Sequence, residues 1–463
     1  MSQNRPNILY IVADQLRDDC VGCYNGYPVH TPNLDALARE GMLFEEAYTP
    51  QPLCCPARQS MISACRPERH HGLWNYDLMG VDSLTPSSDF WPAKLKEMGY
   101  NSHYFGKWHV SPDYAPTDFG YDSYISLEDY RDYREKVFGP FVRENGWFGE
   151  IDPVPLEHSR THYLARMAEE KIKECAEQGG PWHVRVDFPE PHLPCQPCKE
   201  FWELYQDAEI PEWEGFRETF EDKPYIQKQQ VYNWNGEHKE WKDWAPVAAR
   251  YYAIISQVDD AIGRLIAGIK RLGEWDNTLV IVTADHGDMC GSHRMMDKHY
   301  IMYDDVVHVP LIMSWPGHIQ PGSVNDDFVC HALDLGPTLM EITGGSLERT
   351  DGRSLLPLMQ GHTPADWRKE VVSSYNGQQF GLYTQRMIRD KKWKYIWNTT
   401  DVDELYDMEQ DKGELNNLIH DPQYKELIHS MRKRLYEVLR REGDTLIVSN
   451  WLQQQLLGED RKL

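Results

Sequence analysis

The stretch Leu53-Cys54-Cys55-Pro56-Ala57-Arg58-Gln59-Ser60 is the most informative part of this 463-residue sequence. Pro56 suits the first position of a helix, because its missing N–H has no partner to lose there, and good helix formers follow it as far as Ala64. We therefore expect Cys54 to lie just before a helix N-terminus, where unpaired N–H groups and the helix dipole attract anions. Arg58 would lie about one turn inside the same helix. The segment predicts a nucleophile beside an anion pocket; the alternative is two buried cysteines before an ordinary helix.

The pattern Cys54-x-Pro56-x-Arg58 is followed by the segment Ser63-Ala64-Cys65-Arg66-Pro67-Glu68-Arg69-His70-His71-Gly72. Together the two segments resemble the signature of the type I sulfatases, which belong to the alkaline-phosphatase-like superfamily. In that family the first cysteine is oxidised after synthesis to formylglycine, whose hydrate is the nucleophile. Where the family usually has Thr-Gly-Arg, this chain has Ala64-Cys65-Arg66. Only Cys54 has proline two and arginine four residues on, so the resemblance assigns the nucleophile to Cys54 rather than Cys55.

The composition limits the classes of function that the chain can have. A net charge of -25 argues against nucleic acid as a partner, and a hydrophobic content of 41% excludes wholesale disorder. The ten cysteines are scattered rather than spaced as a disulfide framework, which suits a reducing compartment. Two Cys-x-x-Cys pairs, Cys20/Cys23 and Cys195/Cys198, leave a zinc site open as a minor alternative.

The sequence also carries expectations about compartment and membranes. Residues 1–7 are polar, and the apolar run after them is too short for the hydrophobic region of a signal peptide. No apolar run approaches the length that spans a bilayer, so we expect no membrane partner. The chain as given is expected to be cytoplasmic, although a trimmed periplasmic or secreted form would look the same.

Buried strands alternate with helices along the first three quarters of the chain. Strands are predicted over residues 7–13, 102–105, 183–188, 278–283 and 309–314. Helices are predicted over residues 32–40, 89–97 (capped by Ser88), 162–178 and 245–271. This alternation, with polar residues at the strand ends, indicates an α/β fold with a large, mainly parallel sheet sandwiched by helices. Ligands of such sheets bind beyond the carboxyl ends of the strands.

A second, smaller unit is predicted at the C-terminal end, where strands over 392–397 and 402–407 precede a helix over 424–441. Glu404-Leu405-Tyr406-Asp407 and Asn416-Asn417-Leu418 in this unit also resemble the sulfatase C-terminal region. We therefore predict a catalytic sulfatase-like α/β domain over 1–364 and a C-terminal α+β subdomain over 365–463. Within the larger domain, residues 110–160 and 195–240 are predicted to be long irregular excursions that build a substrate cleft.

Polar residues follow two of the predicted strands and form a candidate metal site. Asp14 and Gln15 follow the first strand, and Asp285 and His286 follow a late one. Two carboxylates, an amide oxygen and an imidazole suit a divalent cation. The resemblance implies that these four residues bind the metal beside formylglycine at residue 54. Calcium is the expected ion, with manganese or magnesium as alternatives, because Gln15 and His286 stand where many sulfatases have Asp and Asn.

A set of basic residues comes from three further segments, and each alone would be read as a solvated or core side chain. They are Lys107 and His109 in Gly106-Lys107-Trp108-His109, His192 in Pro191-His192-x-Pro194, and Lys298 in Asp297-Lys298-His299-Tyr300. Taken together, and with Arg58, they resemble in order and context the sulfate-binding cations of the family. The resemblance implies that Arg58 and Lys107 hold and neutralise the formylglycine hydrate. It implies that Lys298 and His192 bind sulfate oxygens, and that one of them assists the leaving alcohol.

The resemblance also implies a mechanism. One hydroxyl of the formylglycine hydrate, made nucleophilic by the metal and Asp285, attacks sulfur in line and expels the alcohol. The second hydroxyl is then deprotonated, with His109 as the expected base, and collapse to the aldehyde expels sulfate. The implied partner is a formylglycine-generating enzyme or an anaerobic sulfatase-maturing enzyme, which would oxidise Cys54.

These features predict a sulfuric ester hydrolase that releases sulfate from a small sulfated substrate, a mono- or oligosaccharide. The Trp-rich loops favour a sugar, and Trp74 is a candidate stacking face, with a packed loop as its alternative reading. The runner-up is a phosphonate monoester or phosphodiester hydrolase of the same superfamily, since those relatives share the Cys-x-Pro-x-Arg motif and an Asp-Gln/Asp-His metal set. A binding protein in which Cys54 is never oxidised is the third possibility.

Overall fold

The computed structural model describes residues 5–77, 83–140, 144–377 and 381–458. Residues 1–4, on which part of the expected compartment rests, lie outside the described residues, as do the last five residues of the predicted C-terminal subdomain, 459–463. Among the helices of the described segments, none has the length and apolar content needed to cross a bilayer.

The strands fall into three sheets. In chain order they are β1 (Asn7–Asp14), β2 (Met42–Phe44), β3 (Ala47–Tyr48), β4 (Asn101–Gly106), β5 (Ser123–Ser126), β6 (Trp182–Pro191), β7 (Thr278–Ala284), β8 (Leu311–Ser314), β9 (Ser323–Asn325), β10 (Val329–Cys330), β11 (Val371–Tyr375), β12 (Gln385–Arg389), β13 (Trp393–Asn398) and β14 (Glu404–Asp407). Within the described ranges, one sheet has eight strands in the spatial order β5-β4-β6-β1-β7-β8-β2-β9, β10 pairs with β3, and β11 to β14 form a third sheet.

The α-helices pack against the large sheet and the C-terminal sheet. In chain order they are α1 (Pro32–Glu40), α2 (Cys54–Ser63), α3 (Pro67–His70), α4 (Trp91–Glu97), α5 (Leu127–Phe138), α6 (Arg160–Gln178), α7 (Lys199–Trp202), α8 (Tyr225–Asn233), α9 (Trp241–Leu272), α10 (Asp304–Val307), α11 (His331–Thr343), α12 (Leu356–Met359), α13 (Lys425–Glu442) and α14 (Asn450–Leu457). α6 and α9 pack against each other and against β6, whereas α2, α4 and α11 form a second packed group. The predicted sandwiched α/β sheet is confirmed.

The register of the central strands brings their carboxyl ends to one edge of the sheet. The five strands that are adjacent in the order β5-β4-β6-β1-β7 are parallel, and β8 runs antiparallel to its neighbours β7 and β2. In this register Asp187 lies opposite both Val12 and Gly106, and Ala13 lies opposite Ala284. The residues at these strand ends, and those just after them, therefore meet above the middle of the sheet. Every residue of β1 is buried, as expected for a strand covered on both faces.

Some predicted elements differ from the structure. The region 110–160, predicted to be irregular, contains β5 and the twelve-residue helix α5, whose first turn is closed by Ser126 and Asp129 in a reciprocal capping box. The region 195–240 likewise contains α8 and the short α7. Helix α4 begins at Trp91 and not after Ser88, because Pro92 and the buried Trp91 start its first turn. The two regions therefore contain helices, although their high contents of Tyr, Asp and Trp suggested irregular structure.

The C-terminal part forms a smaller unit of mixed α and β structure, as predicted. β11 to β14 are antiparallel neighbours, and α13 packs against β12 and β13. Its core includes Trp397, Leu405, Met431 and Leu435, all buried. The boundary at residues 364/365 stays a prediction.

Candidate active site

Helix α2 presents Cys54 to the carboxyl edge of the sheet. Cys54 is the first residue of α2, and Leu53 is the N-cap. Pro56 therefore occupies the third helical position and not the first, which corrects the sequence prediction. A proline is still tolerated there, because the first N–H groups of a helix have no intrahelical partner. All ten residues of α2 are buried, so the start of the helix lies inside the protein.

The Cys54 sulfur is surrounded by residues from three separate strand ends. Cys54 Sγ lies 3.2 Å from His286 Nε2, 3.5 Å from Lys107 Nζ and 3.8 Å from Asp14 Oδ1. Lys107 Nζ also contacts Asp14 Oδ2 at 2.5 Å. Only 1% of Cys54 is exposed. The sequence segments predicted to carry the nucleophile, the metal and the basic groups thus converge on one sulfur atom.

The predicted metal-binding residues form a compact buried group. The ligand atoms of Asp14, Cys54, Asp285 and His286 all lie within 4.8 Å of one another. His286 Nδ1 contacts the Gly287 carbonyl oxygen at 2.8 Å, which assigns a proton to Nδ1 and directs Nε2 at the site. Carboxylate oxygens and an imidazole nitrogen fit a divalent cation, which would take the place of a proton on Nε2.

Gln15 contacts both Asp285 and Lys298 and so connects the candidate metal site with the basic residues. Its backbone is left-handed, with φ 69°, and its N–H donates to Asp285 Oδ1 at 3.0 Å. Its side-chain Oε1 accepts a hydrogen bond of 2.9 Å from Lys298, while Nε2 donates to Asp288 and Asp297. The amide therefore touches Lys298, and the predicted role of Gln15 as a metal ligand stays a prediction.

Arg58 lies one layer behind Cys54, among three buried carboxylates. Its guanidinium contacts Asp285 at 2.9 Å, Asp187 at 2.7 Å and Asp14 at 3.0 Å, and all four side chains are fully buried. The same group donates to the Lys107 carbonyl oxygen at 2.9 Å. In this arrangement Arg58 holds the carboxylates in place, and its predicted contact with the formylglycine hydrate stays a prediction.

Asp187 is a site residue that the sequence analysis missed. It accepts hydrogen bonds from Arg58 and also from Arg185, whose Nε lies 2.7 Å from Asp187 Oδ1. Both residues belong to β6 and are fully buried. A signal was present: Arg185 and Asp187 are two residues apart, and side chains at that spacing share one face of a strand. Opposite charges on one face of a buried strand indicate a buried ion pair.

Lys298 and His192 lie side by side on the wall of the site. Lys298 Nζ lies 2.9 Å from His192 Nε2 and 3.0 Å from Asp297 Oδ1, in addition to its bond with Gln15. His192 Nδ1 faces the Leu193 carbonyl oxygen at 2.6 Å, so Nε2 is the acceptor for Lys298. Asp297, which the sequence analysis did not select, thus anchors the lysine.

A cavity of about 990 Å³ opens over Cys54. Its lining includes Cys54, Lys107, His109, His192 and Lys298, the five predicted residues that face the substrate side. Among the described residues, the lining also includes Tyr76, Asp77, Asp113, Tyr114, Tyr124, Glu128, Trp147, Trp234 and His299. Trp74 is not part of the described lining; its Nε1 donates to the Asn376 carbonyl oxygen at 3.1 Å, in agreement with the packed-loop alternative.

The electrostatics of the site favour charged forms. Burial alone would raise the pKa of the Cys54 thiol, but Lys107, Lys298 and His286 lower it well below its usual value. Burial and the neighbouring thiolate also act to raise the pKa of Asp14, yet Lys107 and Arg58 lower it to about 2. Burial lowers the pKa of His286, and Asp285 and Cys54 more than offset this and raise it to about 8. The pocket is thus built to hold negative charge at residue 54.

The two Cys-x-x-Cys pairs do not form a metal site in the described part of the chain. The single group of His, Cys, Asp and Glu side chains found there with metal-binding geometry is the one around Cys54. Instead, Cys195 Sγ donates to the Pro191 carbonyl oxygen at 3.4 Å, and Cys198 Sγ donates to the Val154 carbonyl oxygen at 3.6 Å.

A mainly parallel sheet carries at its carboxyl edge a buried cysteine at a helix start and a buried group of carboxylates and imidazole, an arrangement that fits a hydrolase of the sulfatase-like class. The Sulfatase family model matches residues 6–345, and the model for the C-terminal region of N-sulphoglucosamine sulphohydrolase matches residues 291–441. The chain therefore belongs to the sulfatase family and is a sulfuric ester hydrolase. The resemblance inferred from the Cys54 motif is confirmed.

Relatives and solved structures match along almost the full length of the chain. An arylsulfatase of Clostridium perfringens is 29% identical, with 95% of this chain and 96% of the relative covered. The structure of a phosphonate monoester hydrolase of Agrobacterium radiobacter superposes with a TM-score of 0.80 at 24% identity, covering 95% of this chain and 96% of that one. A protein solved in complex with its substrate D-glucosamine-2-N,6-O-disulfate also superposes with a TM-score of 0.80, at 22% identity, covering 95% of this chain and 99% of that one.

Proposed function

We propose that the protein releases inorganic sulfate from a sulfated sugar, with formylglycine at residue 54 as the nucleophile and one divalent cation beside it. The observation that carries this proposal is the position of Cys54 Sγ, which touches His286, Lys107 and Asp14 at the floor of a cavity of about 990 Å³. The aromatic lining of the cavity and the sulfated glucosamine bound by a structural neighbour favour a sugar as the alcohol.

The residues around Cys54 fit both a divalent cation and a formylglycine at residue 54. Asp14, Asp285 and His286 would hold the cation, with Gln15 as the proposed fourth ligand, and calcium suits a set dominated by oxygen atoms. The Cys54 sulfur marks the place that the hydroxyl oxygens of a formylglycine hydrate would take. Once formed, these groups supply a geminal-diol nucleophile and a Lewis acid that favours its ionised form.

The side chains around residue 54 have distinct proposed tasks in the reaction. Lys107, at 3.5 Å from the sulfur, neutralises negative charge on residue 54. Lys298 and His192, adjacent on the cavity wall, bind sulfate oxygens and stabilise the oxygen of the leaving alcohol. Arg58 keeps the carboxylates Asp14 and Asp285 in position.

His109 is the proposed base that releases sulfate. Its Nε2 faces Asp77 at 3.4 Å, which orients the ring. Its Nδ1 is buried and has no hydrogen-bond partner among the residues that the structure describes. The ring also lies within hydrogen-bonding reach of Cys54, so a proton released at residue 54 would have an acceptor beside it.

The maturation step is tested by mass. We propose that a formylglycine-generating or anaerobic sulfatase-maturing enzyme acts on Cys54. Protein produced with such an enzyme should yield a residue-54 peptide with the mass of formylglycine or its hydrate, and Cys54→Ala should abolish sulfate release. Cys55→Ala is the matched control, because Cys55 lies in the same helix turn; loss of activity in Cys55→Ala alone would refute the assignment.

The reaction class is tested with a substrate panel. Sulfate release from sulfated mono- and disaccharides should give a higher kcat/KM than hydrolysis of any phenyl phosphonate or phosphodiester. Gln15 and His286 in the metal set are the features that keep phosphonate monoester hydrolysis as the second candidate. A phosphonate monoester that outperforms every sulfated sugar would show that the second candidate is correct.

A further inference from the structure

We infer that Trp147 and the acidic mouth of the cavity, formed by the carboxylates of Asp113 and Glu128, select the alcohol part of the substrate. The preferred substrate is a sugar that carries one sulfate and no second anionic group, with its ring stacked on Trp147. This inference rests on the proposed function and names the substrate class of the same site. It depends on how the loop around Trp147 is anchored and on where charges lie along the cavity.

The indole of Trp147 is presented to the cavity by an anchored turn. The next residue, Phe148, packs edge-on against Trp234 and Trp244, with ring centroids 6.4 Å and 6.2 Å apart. Gly149 then passes so close to the chain that an added Cβ would lie 2.1 Å from the Cys195 carbonyl oxygen. Trp147 itself remains 55% exposed and lines the cavity.

The exposure of the Trp147 indole suggests a binding role because this side chain lines the cavity. Single exposed apolar side chains are common on protein surfaces. Here, however, the exposed indole lines a cavity that also holds the buried Cys54, and its neighbour in sequence is fixed by contacts with two tryptophan rings. A flat aromatic face in the same cavity as the reacting group offers a stacking surface for a ring, and the indole N–H can hydrogen-bond to a sugar hydroxyl.

Charges are divided along the cavity. Among the described lining residues, the lysines are Lys107 and Lys298, and both belong to the catalytic end. At that end Asp297 pairs with Lys298 and Asp77 faces His109. The other charged lining residues in the described part of the chain are the carboxylates of Asp113 and Glu128, which are both exposed at the mouth. The catalytic end therefore attracts the scissile sulfate, and the mouth repels any further anion.

The start of helix α5 does not reverse this polarity. Its first residues line the cavity, and an open helix N-terminus would attract an anion. Ser126 and Asp129 already close that terminus with reciprocal hydrogen bonds, and Glu128 adds a negative charge in the same turn. Arg131 contacts Glu128 at 3.2 Å, but both side chains are largely exposed, so the pair is weak.

The consequence is a preference that can be measured on one sugar. A second sulfate would face the carboxylates of the mouth, whereas an ammonium group at the same position would be attracted by them. Two charges at several ångströms in a water-filled mouth change Kd by roughly tenfold between these forms. The disulfated glucosamine bound by the structural neighbour is thus the form that this protein should bind weakly.

The first experiment compares glucosamine O-sulfates with a free ammonium, an N-acetyl or an N-sulfo group, in both a 3-O and a 6-O series. Binding to full-length Cys54→Ala protein is measured by calorimetry. We expect the ammonium form to bind tightest and the N-sulfo form roughly tenfold more weakly. Equal or tighter binding of the N-sulfo form, or no binding of any form, would overturn the inference.

Sulfate release by the matured enzyme separates this inference from the proposed function. If the binding order holds but no sugar releases sulfate, the proposed function fails and the selection at the mouth stands. If the N-sulfo sugar is the fastest to release sulfate, the proposed function stands and the inference is wrong.

Variants test the named residues. Trp147→Ala should raise KM roughly fivefold or more with little change in kcat, since the indole touches the alcohol and not the sulfate. Trp451→Ala is the matched control, because Trp451 is 82% exposed on α14 and outside the described cavity lining. Equal effects of the two variants would refute the stacking role.

The acidic residues need their own comparison. Asp113→Asn combined with Glu128→Gln should reduce the discrimination against the N-sulfo sugar to less than threefold. Asp132→Asn, an exposed residue of α5 outside the described cavity lining, is the matched control and should keep the tenfold discrimination. A double variant that discriminates as the unaltered protein does would exclude charge at the mouth as the cause.

Discussion

Substitution of Asp187 by Asn should destabilise the protein strongly, although the two side chains have the same shape. Asp187 is fully buried and contacts two buried guanidinium groups, with Arg58 NH1 and Arg185 Nε each at 2.7 Å and Arg185 NH2 at 2.9 Å. In the variant, Arg58 still forms ion pairs with the carboxylates of Asp14 and Asp285. Arg185 loses its ion pair with Asp187 and retains contacts with the faces of two tyrosine rings and with a methionine sulfur.

The expected magnitude follows from this uncompensated charge. Removal of one partner from a buried ion pair costs about 3–5 kcal/mol. Asn keeps one acceptor oxygen, so we expect a loss of about 3 kcal/mol in the free energy of unfolding. The measurement is a urea titration followed by tryptophan fluorescence, with the exposed substitution Asp132→Asn as a control that should change the value by less than about 0.5 kcal/mol.

A double variant tests the physical cause. If the penalty comes from the stranded guanidinium of Arg185, then Arg185→Met combined with Asp187→Asn should recover about 1 kcal/mol or more relative to Asp187→Asn alone. A loss below about 1 kcal/mol in Asp187→Asn, or strict additivity of the two substitutions, would refute the reasoning. In that case the carboxylate does not balance the buried charges.

Three further predictions follow from other parts of the structure. Asp285→Ala should lose both calcium binding, measured by calorimetry on the chelator-treated protein, and sulfate release; retained binding would contradict the proposed ligand set. Burial acts to raise the pKa of Glu218, but contacts with His293 at 2.9 Å and Lys223 at 3.3 Å lower it to about 2, so its stabilisation is present above pH 4.5 and lost as the pH falls toward 2. Glu218→Gln should therefore show a smaller loss of stability over that range in unfolding titrations, and an unchanged loss would contradict the pKa shift. Trp74→Ala should lower the melting temperature and leave KM for a sulfated sugar within about twofold, since its indole packs in a loop; a KM that rises as in Trp147→Ala would contradict this.

The positions of the reacting groups could be predicted because they depend on strand ends. Asp14 and Asp285 each follow a short apolar run, and parallel strands bring such ends to one edge. The basic residues were different, since Lys107 and Lys298 lie in loops with no periodic pattern. Their convergence on residue 54 was predicted from resemblance to a family, and local propensity alone would not have shown it.

Other features depend on contacts that no local pattern contains. The exposed Trp147 lies in a segment that looked irregular, and its placement depends on Phe148 packing against Trp234 and Trp244, far along the chain. Helix α5 was overlooked for another reason: its capping sequence from Ser126 to Asp129 was present, but the high content of charged and aromatic residues suggested a loop.

The burial of Arg58 has a consequence for how the protein is made. Its contact with Asp285 joins residues that are 227 positions apart in the sequence. The residue after Asp285 is His286, which contacts Cys54. At about 5–20 residues per second, a ribosome needs roughly 10 to 50 s to add that length of chain. During this interval the cysteine motif has left the ribosome while the far wall of its pocket does not yet exist, and afterwards only 1% of Cys54 is exposed. An oxidising enzyme that needs the open motif would have this interval in which to act, so slower translation between residues 70 and 285 would raise the fraction of molecules that carry formylglycine.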